Sequence, residues 1–135
     1  MTLLYIDTNI FLDIIKGRKS LSGRDLAKPA TKLFFRSVSC EFHLALSTWT
    51  LEQMYNNLSI DEVKMTLELL KKKLIIVKYD DNDKQAAAQR SKDHFEDAVH
   101  IVLAEKQKAD MIITRNIDHF LEIGTTIPVK RPEHV

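Results

Sequence analysis

The chain has 135 residues, with 20 Lys and Arg against 19 Asp and Glu, a formal net charge of +1, so no overall basic field announces nucleic-acid binding. Hydrophobic residues make up 44% of it, which argues against global disorder, and three Gly with three Pro argue against a turn-rich all-β fold. Cys40 is the only cysteine, which excludes an internal disulfide and a cysteine-rich zinc site; with no apolar run near the ~20 residues of a membrane span and no signal-peptide pattern, the expected compartment is the cytoplasm.

Leu3-Leu4-Tyr5-Ile6 is a short apolar run, read as a buried strand, and residues 8–16 follow as a helix with Ile10, Phe11, Ile14 and Ile15 on one face. Lys16 to Lys28 is a polar loop carrying Arg18, Lys19, Arg24 and Lys28, read as a solvated connection. Residues 30–38 form the next helix and residues 42–46 the second strand. Ser47 is a suitable N-cap for a helix carrying Trp49, Leu51, Glu52 and Met54. Residues 61–72 are an amphipathic helix, with Val63, Leu67 and Leu70 at helical spacing, and residues 74–77 the third strand. Helices over 83–92 and 95–106 precede a fourth strand at 111–113, a helical turn at 117–121 and a final strand at 127–129. Strands alternating with helices predict an α/β fold, a three-layer sandwich with a short parallel sheet of four or five strands, as a single domain over 1–135.

In a parallel sheet, strands end at the edge where the following helices begin, and ligands gather at that edge. Asp7 follows the first strand, Glu52 lies soon after the second, Asp97 lies in the first turn of its helix and Asn116 follows the fourth strand. Gathered carboxylates repel unless a cation or protons neutralise them. A hard ion such as Mg²⁺ or Mn²⁺ suits oxygen-only ligands and supports phosphodiester hydrolysis. Each residue also has an ordinary reading: Asp7 and Asn116 as helix caps, Glu52 as a surface acid, Asp97 as a first-turn carboxylate. The case rests on convergence. His43, His94, His100, His119 and His134 show no ligand spacing and read as structural or exposed, and Trp49 reads as core. Glu96 is expected to face away from the site, since adjacent helical positions diverge by about 100°.

Four stretches together resemble PIN domains, in particular VapC-type ribonuclease toxins of type II toxin–antitoxin pairs. They are Tyr5-Ile6-Asp7-Thr8-Asn9-Ile10, Ser47-Thr48-Trp49-Thr50-Leu51-Glu52, Phe95-Glu96-Asp97-Ala98-Val99-His100 and Ile112-Ile113-Thr114-Arg115-Asn116. The resemblance implies a Mg²⁺- or Mn²⁺-dependent endoribonuclease with Asp7, Glu52 and Asp97 as metal ligands and Asn116 at a fourth position that is Asp in some members. It makes Thr8, Thr114, Arg115 and Asp118 candidates for orienting the acids or the substrate. It also implies a small antitoxin partner and a homodimer. The chain departs from the pattern at His119, where many relatives carry Asp, with Asp118 one residue earlier, and at His94, with Asp93 just before. The His119 and Asn116 positions motivate an alternative, a catalytically weak PIN-like module that binds RNA or a protein partner without cutting. A phosphoacceptor domain, the third reading, would leave Glu52 and Asp97 unexplained.

Overall fold

The computed structural model describes residues 2–39 and 41–135, so Cys40 lies outside the described residues. Five parallel strands form one sheet in the order β3-β2-β1-β4-β5: β1 (Leu3–Ile6), β2 (His43–Ser47), β3 (Leu74–Val77), β4 (Met111–Ile113) and β5 (Val129–Lys130). Helices α1 (Thr8–Lys16), α2 (Ala27–Val38), α3 (Thr48–Asn57), α4 (Ile60–Leu70), α5 (Asp81–Arg90), α6 (Phe95–Lys106) and α7 (Ile117–Ile123) flank it, and a 3₁₀ turn spans Pro132–His134. This is the three-layer parallel α/β arrangement expected from the sequence.

The apolar strand runs divide by period two. Leu4, Ile6, Leu44, Leu46 and Ile113 pack on one side against α1, α2, Met54 of α3 and Val63 and Leu70 of α4. Tyr5, Ala45, Val77 and Ile112 pack on the other against α5, α6 and Phe120 of α7. Burial on both faces is why β1 and β4 read as unbroken hydrophobic runs, whereas β3, at the sheet edge, leaves Ile75 and Ile76 exposed.

Helix boundaries follow local capping chemistry. Ser47 Oγ accepts from the Thr50 amide at 3.0 Å and starts α3, as expected. Reciprocal capping boxes, Ser59 with Glu62 and Asp80 with Asp83, start α4 at Ile60 and α5 at Asp81, one and two residues before the sequence expectation. Helix α2 starts at Ala27, three residues early, because Pro29 falls in the first turn, where its missing N–H costs nothing. Strand β2 is shifted by one residue, and β5 is Val129–Lys130 rather than 127–129.

The topology then positions the site. From β1 the chain builds outward to β2 and β3 on one side and returns to β4 and β5 on the other. Between β1 and β4 the winding reverses, the helices that follow depart to opposite faces, and a crevice opens at the carboxyl ends. Asp7 ends β1 there, its amide bonded to the Ile113 carbonyl of β4 at 3.0 Å.

Candidate active site

The crevice is a cleft of about 650 Å³ lined chiefly by polar residues, including Asp7, Thr8, Asn9, Asp13, Gln53, Asn56, Asn57, Glu96, Asp97, Arg115 and Asn116, with Arg18 and Lys19 at its rim. Asp7, although at the N-cap position of α1, makes no capping hydrogen bond. Its carboxylate faces the cleft and is 5% exposed; Oδ2 accepts from Thr114 Oγ1 at 2.6 Å, and Oδ1 lies 3.2 Å from His100 Nε2. His100 is itself buried, its Nδ1 2.8 Å from the Tyr5 hydroxyl, which donates to Ser47 Oγ at 2.9 Å. A polar chain thus runs from the cleft through the sheet to the cap of α3. Burial pushes the Asp7 carboxyl above the ordinary carboxylate range; His100 and Thr114 oppose the rise, and the charge of Asp97 adds to it.

Asp97 sits in the first turn of α6, its side chain 14% exposed, with Oδ2 2.9 Å from His119 Nδ1. Glu96 also lines the cleft, contrary to expectation. The 100° step separates neighbours around a helix barrel, but α6 points its N-terminal end at the cleft, so adjacent first-turn residues both reach the rim. Asn116 lines the cleft at the start of α7 without capping it, and its backbone N–H donates to Thr114 Oγ1 at 3.0 Å.

Two expected residues, Glu52 and Asp118, fall outside this constellation. Glu52 does not reach the cleft: its Oε1 accepts from the Tyr79 hydroxyl at 2.6 Å, on the exposed side of α3. The next residue, Gln53, lines the cleft instead, with Asn56 and Asn57 one turn on. Gln53 Oε1 accepts from the Thr8 hydroxyl and lies 3.0 Å from His100 Nε2. Thr50 and Met54 take the buried face of α3, and one residue is 100° of rotation, which swings Glu52 away. The signal was legible as the carboxamide stripe Gln53, Asn56, Asn57 at i, i+3, i+4. Asp118 is exposed in the first turn of α7 and does not line the cleft; His119 stands beside Asp97.

Arg115 reaches the cleft but is fully engaged. Its Nε donates to Asp13 Oδ2 at 3.1 Å, Nη1 to both oxygens of Glu133 at 2.6 and 2.7 Å, and Nη2 to the Leu26 carbonyl at 3.1 Å. Burial raises the Asp13 carboxyl despite Arg115; burial would also raise Glu133, but the Arg115 bonds and charge hold it below its ordinary value. This arginine ties β4, α1, the 17–26 loop and the C-terminal 3₁₀ turn together. The loop itself is folded back, with Leu26 N bonded to Arg18 O at 3.0 Å and Ser20 N to Arg24 O at 2.8 Å, which holds Arg18 and Lys19 at the rim.

The donor set suits a hard divalent cation: carboxylates of Asp7 and Asp97, neutral oxygens of Gln53 and Asn116, and no thiolate among the lining residues. Asn9 Oδ1, on the same wall, is buried without a hydrogen-bond partner among the described residues, an acceptor that a cation or its water would satisfy.

An acidic crevice at the reversal point of a short parallel sheet defines the class, and the family follows from the sequence: residues 4–118 match the PIN domain, and the chain belongs to that family. Comparison with curated proteins gives no match. Among solved structures, a chain of FitAB bound to an IR36 DNA fragment superposes with a TM-score of 0.63 at 17% identity, covering 98% of this chain and 96% of that one. A toxin–antitoxin complex from Klebsiella pneumoniae gives 0.63 at 20% identity, covering 98% of both chains. VapC20 of Mycobacterium tuberculosis, a sarcin-ricin loop cleaving toxin, gives 0.57 at 12% identity over 81% of this chain and 86% of that one. At these identities the likeness is one of fold. No helix among the described residues is long and apolar enough to cross a membrane.

Proposed function

We propose that this PIN protein is a divalent-metal-dependent endoribonuclease acting as the toxin of a toxin–antitoxin pair. The observation that carries the reading is the meeting of Asp7 and Asp97 in the crevice between β1 and β4, among neutral oxygen donors and beneath Arg18 and Lys19. Asp7 and Asp97 would hold Mg²⁺ or Mn²⁺, with Gln53, Asn116 and Asn9 as neutral oxygens within the same cleft. When bound, such an ion polarises a phosphoryl oxygen and lowers the pKa of water.

The chain's own residues do the positioning. Thr114, donating to Asp7 Oδ2, fixes the carboxylate with Oδ1 toward the buried His100 at the base of the cleft, and the same hydroxyl accepts from the Asn116 backbone amide. Thr8, bonded to Gln53, aligns α1 with α3 across the cleft. Arg18 and Lys19 supply the cations that a polyphosphate backbone needs at the rim, which the balanced net charge does not. Arg115 serves as a structural clamp. The open cleft favours single-stranded or looped RNA, whose phosphates are accessible. The toxin role and a small antitoxin partner draw support from the family and from the toxin–antitoxin complexes with the same fold, and the match over residues 4–118 supports a single domain over 1–135; a homodimer and a cytoplasmic setting complete the reading.

One observation favours a second reading. Glu52 stands outside the cleft and Gln53 and Asn116 are neutral, so the third carboxylate expected beside Asp7 and Asp97 is displaced from the centre, and the added acid, Glu96, comes from α6 instead. A module that binds RNA without cutting would tolerate this. The deciding experiment is cleavage of a mixed structured RNA pool with Mn²⁺, Mg²⁺ or EDTA, beside Asp97→Asn. Metal-dependent cleavage reduced about 100-fold or more in the variant supports the nuclease; RNA binding without turnover by folded wild type supports the binding module.

A further inference from the structure

We propose that His94, Asp97 and His119 form a binding site for a transition-metal ion of the Zn²⁺ type, distinct from the hard-cation position around Asp7 and sharing only Asp97 with it. Each of the three offers one ligand atom, and these atoms lie within 4.8 Å of one another. Bonds of about 2.0–2.1 Å in a tetrahedral site put donors roughly 3.3 Å apart. Side-chain rotation covers that difference, because the His119 side chain is 46% exposed and has room to turn.

The ligand chemistry differs from that of the neighbouring cleft. Two imidazoles and one carboxylate select a borderline ion over Mg²⁺, and three protein ligands leave a fourth position for water. The surroundings are those of a prepared site. The carboxylate of Glu122 lies 3.1 Å from His94 Nε2 and can only accept, so the neutral ring that donates there keeps its Nδ1 lone pair for an ion; by the same rule His119, whose Nδ1 stands 2.9 Å from Asp97 Oδ2, offers Nε2 or exchanges its Nδ1 bond for the ion. An outer carboxylate of this kind fixes the tautomer of metal-binding imidazoles and raises their basicity. The His94 and His119 rings are neighbours, centroids 4.0 Å apart and planes 17° from parallel; because imidazole lone pairs lie in the ring plane, the exposed His119 ring has to turn out of this stack for both to meet one ion. The three residues share an open cavity of about 390 Å³; Lys92 opposes a cation there, and Asp93 and Glu96 on the same wall offset it.

Occupancy would take Asp97 from the cleft, so Zn²⁺ would compete with Mg²⁺ or Mn²⁺. That consequence rests on the proposed nuclease function; the site does not.

The test titrates Co²⁺ into full-length, chelator-stripped protein and reads the intense visible absorption of tetrahedral Co²⁺, then displaces it with Zn²⁺. The expected result is one equivalent bound and displaced by one equivalent of Zn²⁺. His94→Ala and His119→Ala should each weaken the binding read by the tetrahedral band at least tenfold and Glu122→Gln about tenfold, whereas Asp7→Asn should keep that band, since Co²⁺ held by oxygen ligands around Asp7 absorbs only weakly. His94→Asn, which keeps a side chain suited to the start of α6, repeats the test if His94→Ala fails to fold. Absence of the tetrahedral band, its survival in both histidine variants, or its loss in Asp7→Asn would each overturn the proposal. No RNA enters the measurement, so failure of the nuclease reading leaves its outcome untouched.

Discussion

Replacing Asp7 with Asn should stabilise the metal-free protein while removing its response to metal. Asp7 is buried, and its carboxyl is raised mainly by that burial. An unpaired buried ion costs several kcal/mol after relaxation; Thr114 at 2.6 Å and His100 at 3.2 Å compensate part of this, leaving an expected penalty of about 1–2 kcal/mol. An Asn carbonyl still accepts from Thr114, so the variant loses charge but not that bond. The sign follows from proton linkage. Between the unfolded value near 4 and the raised folded value, the native state holds a proton that the unfolded chain has lost. Stability from Asp7 therefore falls as pH rises through that window and is flat above it. The difference between Asp7→Asn and wild type isolates this residue from Asp13, which is also raised, and from Glu133 and Asp80, which are lowered. In EDTA the variant's Tm advantage should be near zero at about pH 4 and reach roughly 3–8 °C at pH 8. With Mn²⁺ at about 100 times its Kd, wild type should gain about 2.7 kcal/mol and the variant almost nothing. Thermal denaturation across this grid is the assay. A variant less stable than wild type at pH 8 in EDTA, or equally stabilised by Mn²⁺, would refute the argument.

Glu52→Gln should leave RNA cleavage within about twofold of wild type, because the side chain bonds Tyr79 outside the cleft; a large loss would return Glu52 to the site. Gln53→Glu should tighten Mn²⁺ binding about tenfold, a shift of about 1.4 kcal/mol, by adding a carboxylate beside Asp7, and lower the metal-free Tm; calorimetric titration reads the first and thermal denaturation the second. Arg115→Met should cost about 3 kcal/mol in urea denaturation, since Asp13 and Glu133 lose their shared cation in a nearly buried setting; a cost under about 1 kcal/mol would mean that the clamp contributes little.

What the sequence determined by itself was local or periodic. Apolar runs such as Leu3-Leu4-Tyr5-Ile6 and Leu74-Ile75-Ile76-Val77 could only be strands of a sheet flanked by helices, and their ends put Asp7 and Thr114-Arg115-Asn116 at one edge, where the structure has them. Helix α6 was legible to the residue, since its apolar positions are dense and its first turn carries two acids. Rotation about a helix axis was not legible at that precision: Glu52 and Gln53 differ by 100°, and packing of Thr50 and Met54 decided which one faces the cleft. Nor could spacing bring His94 beside His119 or Arg115 to Asp13 and Glu133, pairs 25, 102 and 18 residues apart in the chain. Those meetings depend on how α6, α7 and the C-terminal turn close around the sheet. They follow from the burial of apolar faces far from the polar groups themselves, which is why only the tertiary structure decided them.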